Sequence, residues 1–250
     1  MTEDYTTKTS LKCKKSAGPV AVTIETERGE GGALSSKIGT KFAYAKFNVD
    51  KAQATANGGR VLETSLSVAP NVKLSFKANK GADLGVDYTK GNVFATGVLD
   101  VVEMSKFSTT ACIGLPSGFK VGGDATYALS GKSGLSALNA GASYTHGPIF
   151  ASLASGNKFS QVTLGLLYKV NNDLSVASQT THSGDVVCDF QGLGCAYKAP
   201  FGTVKAKYGA GHTISASLIK DIAPKVTLTA SGSVNASDFS SFKYGLGIVM

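Results

Sequence analysis

The sequence has no tryptophan, and its arginines are Arg28 and Arg60 alone. Charged residues make up 17%, below the roughly one quarter usual for soluble domains. No run approaches the roughly 18 consecutive apolar residues of a membrane-spanning helix. Passage through a bilayer would therefore require a barrel. Cys13, Cys112, Cys188 and Cys195 form no C-x-x-C pair, and His146, His182 and His212 stand far apart beside turn residues. That spacing argues against a zinc site and for free thiols in a reducing compartment. There is no nucleophile-elbow sequence, P-loop or GxGxxG motif, so neither an enzyme nor a cofactor is expected. The start, "MTEDYTTKTSLKCKK", lacks the apolar core of a secretory signal, and Glu3 and Asp4 suit a mitochondrial presequence poorly.

What is abundant is glycine, at 30 residues of 250. Much of it falls in turn clusters, among them Gly18-Pro19, Gly31-Gly32, Gly58-Gly59, Gly91-Asn92, Gly147-Pro148 and Pro200 to Gly202, and Pro70-Asn71 and Asn171-Asn172 are turn clusters without glycine. All six prolines lie in or beside such clusters, where no ladder hydrogen bond is needed. Between clusters the period is two, as in "VKLSFKA" (72–78), "TVKAKYG" (203–209) and "VTLTASGSV" (226–234). Alternation breaks at Gly192, where a bulge or loop is expected. No convincing amphipathic helix is found. Strands of about 9–11 residues with short turns would place roughly 18–20 of them in the chain. The expected fold is all-β: one antiparallel meander of about 19 strands, closed by its first and last. Residues 1–8 form a short leading segment and 9–250 a single barrel domain.

The two faces of these strands differ. One is apolar: Ile38, Phe42 and Tyr44; Leu84, Val86 and Tyr88; Val204, Ala206 and Tyr208; Val226, Leu228 and Ala230. Tyr127, Tyr144, Tyr168 and Phe242 also fall near strand ends, as interfacial girdles require. Twelve phenylalanines and nine tyrosines offset the missing tryptophan. The opposite face carries Lys12, Lys14, Lys37, Lys41, Lys73, Lys77, Lys106, Lys120, Lys205, Lys207 and Lys243, against Glu25, Glu63, Asp83 and Asp87. On one strand such lysines mean only a solvated face. Repeated around a closed wall, they would line a pore that attracts anions. Nucleic-acid binding, the other use of a +8 chain, lacks an arginine cluster or a reading motif. A soluble β-sandwich would alternate too, but rarely strings so many meander strands together.

The C-terminal "SFKYGLGIVM" (241–250) resembles the β-signal of mitochondrial outer-membrane barrels: a polar residue, a glycine two on, then two spaced hydrophobics. These are Lys243, Gly245, Ile248 and Met250. With the upstream hairpins, "SLIKDIAPKVTLTASGSVNASDF" (217–239), it resembles the voltage-dependent anion channel (mitochondrial porin) family. That resemblance implies a 19-stranded barrel of the mitochondrial outer membrane and passive, weakly anion-selective diffusion of nucleotides, phosphate and chloride. It implies membrane lipid and the barrel assembly machinery as partners, and a homo-oligomer or larger membrane complex. Family members begin with a pore-lying helical segment implicated in gating, and residues 1–8 are too few for it. A structural or protein-import barrel subunit is the alternative reading.

Overall fold

A computed structural model describes residues 5–250 apart from 30, 132, 157 and 185 and the side chains of 186–189. Strands β1 (Thr9–Ala17), β2 (Val20–Arg28), β3 (Leu34–Tyr44), β4 (Phe47–Thr55) and β5 (Arg60–Ala69) come first. β6 (Val72–Ala78), β7 (Ala82–Lys90), β8 (Val93–Asp100), β9 (Lys106–Gly114) and β10 (Phe119–Ala128) follow. Next are β11 (Gly134–His146), β12 (Ile149–Gly156), β13 (Gln161–Lys169), β14 (Leu174–Ser183) and β15 (Val186–Ala199). The last are β16 (Gly202–Gly209), β17 (Thr213–Ala223), β18 (Val226–Asn235) and β19 (Asp238–Val249). Among the described residues these nineteen strands make one sheet, each paired with its chain neighbours, and β19 pairs with β1.

The sheet is therefore a closed barrel, as the period-two pattern implies. Sequential pairs are antiparallel, and an odd strand number forces the closing pair to be parallel. Leu11 lies opposite Ile248 and Lys12 opposite Val249. The ladder continues through Met250, whose N–H donates to the Lys12 carbonyl at 2.8 Å. At about 4.8 Å between strands and a tilt of about 40°, nineteen strands enclose a backbone cylinder roughly 35–40 Å across.

Two-residue turns need a left-handed residue, and glycine supplies it at Gly18 (φ 58°), Gly91 (φ 55°) and Gly147 (φ 54°). The β3–β4 and β8–β9 turns carry neither glycine nor proline. Ala45 takes φ 53° between β3 and β4. The β8–β9 turn is held instead by the Asp100 carboxylate, which accepts from the N–H groups of Val102 and Glu103 at 3.2 Å each and from the Ser105 hydroxyl. Sequence alternation shows neither. At Gly192 the ladder with β14 slips by one residue, leaving Gln191 as a bulge inside the continuous strand β15.

There is little conventional core. Among the described residues the buried apolar ones are Val49 and Ala177. The large apolar side chains instead stand exposed on one face, including Leu84, Leu164, Leu193 and Leu246. Aromatics on that face gather at the two ends. Tyr44, Tyr88, Phe119, Tyr144, Tyr168 and Tyr197 lie towards the mouth where β1 turns into β2. Phe107, Tyr127, Phe190, Tyr208, Phe242 and Tyr244 lie towards the other. Phe119 and Tyr144 pack at 4.4 Å between centroids, and Phe190 and Tyr208 at 6.3 Å. A surface that is apolar in its middle and aromatic at its rims matches hydrocarbon between two interfaces.

Leu164→Arg, in mid-strand on the apolar face, should lower folding stability in phospholipid vesicles by about 2–4 kcal/mol. Thr110→Arg, on the opposite face of β9, should change it by about 0.5 kcal/mol or less. Urea titration of vesicle-inserted protein reads both.

Candidate functional site: the inner wall

The register fixes which side chains share the second face. Lys12 stands opposite Glu25, Glu25 opposite Lys37, and Lys14 opposite Thr23. Lys73 faces Ser67 and Asp87, and Lys77 faces Glu63 and Asp83. Followed strand by strand, Lys41, Lys106, Lys120, Lys205, Lys207 and Lys243 fall on this same face. It is the concave one. Lys73 on β6 reaches Asp50 on β4, two strands away, at 3.8 Å. Residues 5–8, which precede β1, also run along it.

That face also carries charges that alternation did not assign. Lys169 ends β13 opposite Ser175, and Lys198 ends β15 opposite Thr203. Among acids it adds Glu27, Asp100 and Asp124. Asp50 and Lys51 sit where β4 slips register against β3 and β5. Counting every second residue across that slip gives the wrong face. Glu27 and Asp124 keep the parity of Glu25 and Lys120, so the signal for them was present.

The wall divides into two sectors. On β1–β6 cations and carboxylates interleave. Lys37 Nζ sits 3.0 Å from Glu25 and 3.4 Å from Glu27, and Lys12 is 3.2 Å from the other Glu25 oxygen. Lys77 pairs with Glu63 at 3.3 Å, and Lys8 with Glu27 at 3.8 Å. On β13–β19 the inner positions carry Lys169, Lys198, Lys205, Lys207 and Lys243. The described carboxylates there, Asp173, Asp221 and Asp238, lie in a turn or near strand ends. In β17 and β18 the remaining inner positions are mostly small hydroxyls, Ser215, Ser217, Ser231 and Ser233.

Residues 5–8 cross this second sector. The Ser231 hydroxyl donates to the Thr6 carbonyl. The Tyr5 ring lies 5.2 Å from Lys207 Nζ, a cation–π distance. Gly245 has no Cβ where the segment passes, and a methyl there would collide with the Thr6 and Lys8 carbonyls. The sequence pattern leads one to expect Gly245 in a β-signal; what the structure shows at Gly245 is the groove for this segment. Gly245, Lys243, Ile248 and Met250 do not converge as a cluster. Ile248 and Met250 face outward, beside Leu228 and the β1 edge, while Lys243 and Gly245 face inward.

Cys13, Cys112 and Cys195 are free thiols; Cys188 lies outside the described side chains. Among the described residues no group of His, Cys, Asp or Glu could hold a metal ion.

A closed barrel, apolar outside and lined inside with charge, is the architecture of a pore-forming membrane protein. The eukaryotic porin profile matches residues 1–247. The chain belongs to the eukaryotic porin family, and it is a pore-forming channel. Among solved structures, a multiply substituted variant of the Rhodopseudomonas blastica porin superposes with a TM-score of 0.55 at 13% identity, covering 87% of this chain and 91% of that one. A second variant gives 0.54 at 13% identity, covering 85% and 88%. A third gives 0.51 at 13% identity, covering 95% and 94%. At that identity the likeness establishes the fold. Comparison with curated proteins finds no significant match.

Gly245→Ala should displace residues 5–8 from the wall while leaving the β18–β19 ladder paired. With Thr6→Cys and Ser231→Cys introduced together, oxidative cross-linking should be efficient in the parent background and several-fold slower with Gly245→Ala added. Equal rates would show that the segment is not seated there.

Proposed function

We propose that the protein is a passive, weakly anion-selective channel of the mitochondrial outer membrane, passing chloride, phosphate and nucleotides down their gradients. In this reading it catalyses no reaction and takes no cofactor. The observation that carries the proposal is the lysine excess on the inner wall, and its concentration on β13–β19. A wall of one sign raises the local concentration of the opposite ion. The bias is weak because the lumen is wide. At physiological ionic strength charge is felt over about 8 Å, so an ion on the axis of such a barrel is largely screened. Ion pairing on β1–β6 weakens the bias further, since Glu25, Glu27, Glu63 and Asp50 offset the lysines beside them.

The proposed location rests on the family and on the terminal pattern Lys243, Gly245, Ile248 and Met250. In this reading the barrel assembly machinery recognises that strand, and the apolar outer face meets membrane lipid or, in a homo-oligomer, a second barrel.

In planar bilayers under a potassium chloride gradient, the reversal potential should favour chloride, more strongly as total salt is lowered. Lys205→Glu, Lys207→Glu and Lys243→Glu together should turn the preference towards potassium. Lys12→Gln should move it less, because Glu25 stays paired with Lys37. A cation preference in the parent protein would overturn the reading. For location, Ile248→Asn should abolish formation of a carbonate-resistant barrel in isolated mitochondria while still folding in detergent. Unimpaired membrane assembly would remove the β-signal from the argument.

A further inference from the structure

The outward face carries few charges, and among the described strand residues they share one sign. Lys15 lies opposite Val22, Arg28 opposite Leu34, Arg60 opposite Ala54, Lys90 opposite Val93 and Lys220 opposite Leu228. Each stands within three residues of a strand end, at the depth where lipid headgroups begin. The described carboxylates of β2–β10 point to the lumen instead, and Asp221 sits beside Thr227 on that side too. Both arginines, Arg28 and Arg60, stand at the mouth opposite the β1–β2 turn.

An opening in the wall adjoins Arg28. Thr9, the first residue of β1, faces Arg28 on β2 and Leu246 on β19. Before Thr9 the chain leaves the wall and passes inward over Gly245. No described strand therefore lies between the end of β2 and the stretch Phe242–Gly245 of β19. The recess left there is bordered by Thr7, Thr9, Arg28, Phe242, Lys243 and Tyr244. Phe242 and Tyr244 stand on its outer side, 60% and 73% exposed, with ring centroids 6.4 Å apart. Lys243 rises on its lumen side. Of the nearby described carboxylates, Glu27 is held by Lys37 and Lys8 on the inner face, and Asp238 accepts from the N–H and hydroxyl of Ser240.

We propose that this seam recess seats the headgroup of an anionic diacyl phospholipid. The phosphate lies between Arg28 and Lys243, with Thr7 and Thr9 at its edge, and the guanidinium offers it two parallel N–H donors. The acyl chains run down the outer face past Phe242, Tyr244 and Leu246, a surface that a soluble phosphate cannot use. A zwitterionic lipid brings its own ammonium, which competes with both cations for the phosphate, so net negative charge on the headgroup decides. The inference stands on the membrane-barrel fold and does not depend on the channel's ion selectivity.

The chain has no tryptophan, so Tyr244→Trp places a single fluorescent reporter at the seat, and Tyr127→Trp places one at the same mouth on β10. The full-length protein is folded into phosphatidylcholine vesicles containing phosphatidylglycerol, with brominated chains on one lipid or the other. Quenching then gives the relative affinity of the two lipids beside each reporter. Phosphatidylglycerol should be favoured several-fold at Tyr244→Trp and not at Tyr127→Trp. Adding Arg28→Gln should remove the preference, Arg28→Lys should keep part of it, and raised salt should weaken it. Soluble glycerol phosphate should leave the quenching unchanged. Single-channel conductance and reversal potential of the Arg28→Gln protein should match the parent, since Arg28 faces away from the lumen; this shows the barrel intact and separates the seat from the selectivity reading. Equal quenching by the two lipids at Tyr244→Trp overturns the proposal. So does a preference that survives Arg28→Gln, or one that glycerol phosphate abolishes, which would mark a site for soluble anions.

Discussion

Everything in this barrel depends on the ladder between β1 and β19. A meander left open would present two rows of unpaired N–H and C=O groups, and hydrocarbon offers them no partner. Closure removes both rows at once. It also creates the distinction between inside and outside. Before β19 meets β1, the lysine face and the leucine face are merely two sides of a sheet; afterwards one encloses water and the other meets lipid. The closing pair is short and parallel, and Met250 extends it through hydrogen bonds with Lys12 and Lys14, the latter donating at 2.6 Å.

Once the wall is closed, its charges act together and unevenly. Carboxylates on β2, β4 and β5 hold the lysines beside them in close pairs, and each exposed pair contributes little to stability. Their larger consequence is electrostatic, since a paired lysine adds little to the field in the lumen. On β13–β19 the lysines stand among glycine, alanine and serine, so that sector supplies much of the positive field. The segment before β1 lies across the same sector, with Tyr5 at Lys207 and Thr6 at Ser231. The lysine-rich sector of the wall and the described residues before β1 thus share one side of the pore.

Much of the fold was legible because a strand obeys a simple rule: successive side chains point to opposite faces. Alternation therefore put Lys12, Lys73 and Lys205 on one face and Ile38, Leu84 and Leu228 on the other, and the register agrees. Turns carrying glycine or proline were legible for a similar reason, since few residues tolerate their backbone angles. The turn at Ala45 was not, because an alanine there accepts a left-handed conformation that its neighbours impose. Nor was the turn after Asp100, which is built by one side chain capping several donors. Asp50 and Lys51 escaped because a register slip resets parity, and Lys169 and Lys198 because they sit at strand ends, where alternation and turn composition overlap.

By itself the sequence determined the class of structure. Period-two patterning, short turns, sparse charge and a charge-free face admit a membrane barrel and little else, because each follows from local backbone geometry and solvent. Tertiary structure alone decided which strands neighbour which charges. Lys37 meets Glu25 and Glu27, and Gly245 makes room for Thr6. Arg28 and Tyr244 flank one opening at the seam. These encounters join residues from ten to more than two hundred positions apart, and only the pairing of the sheet brings them together.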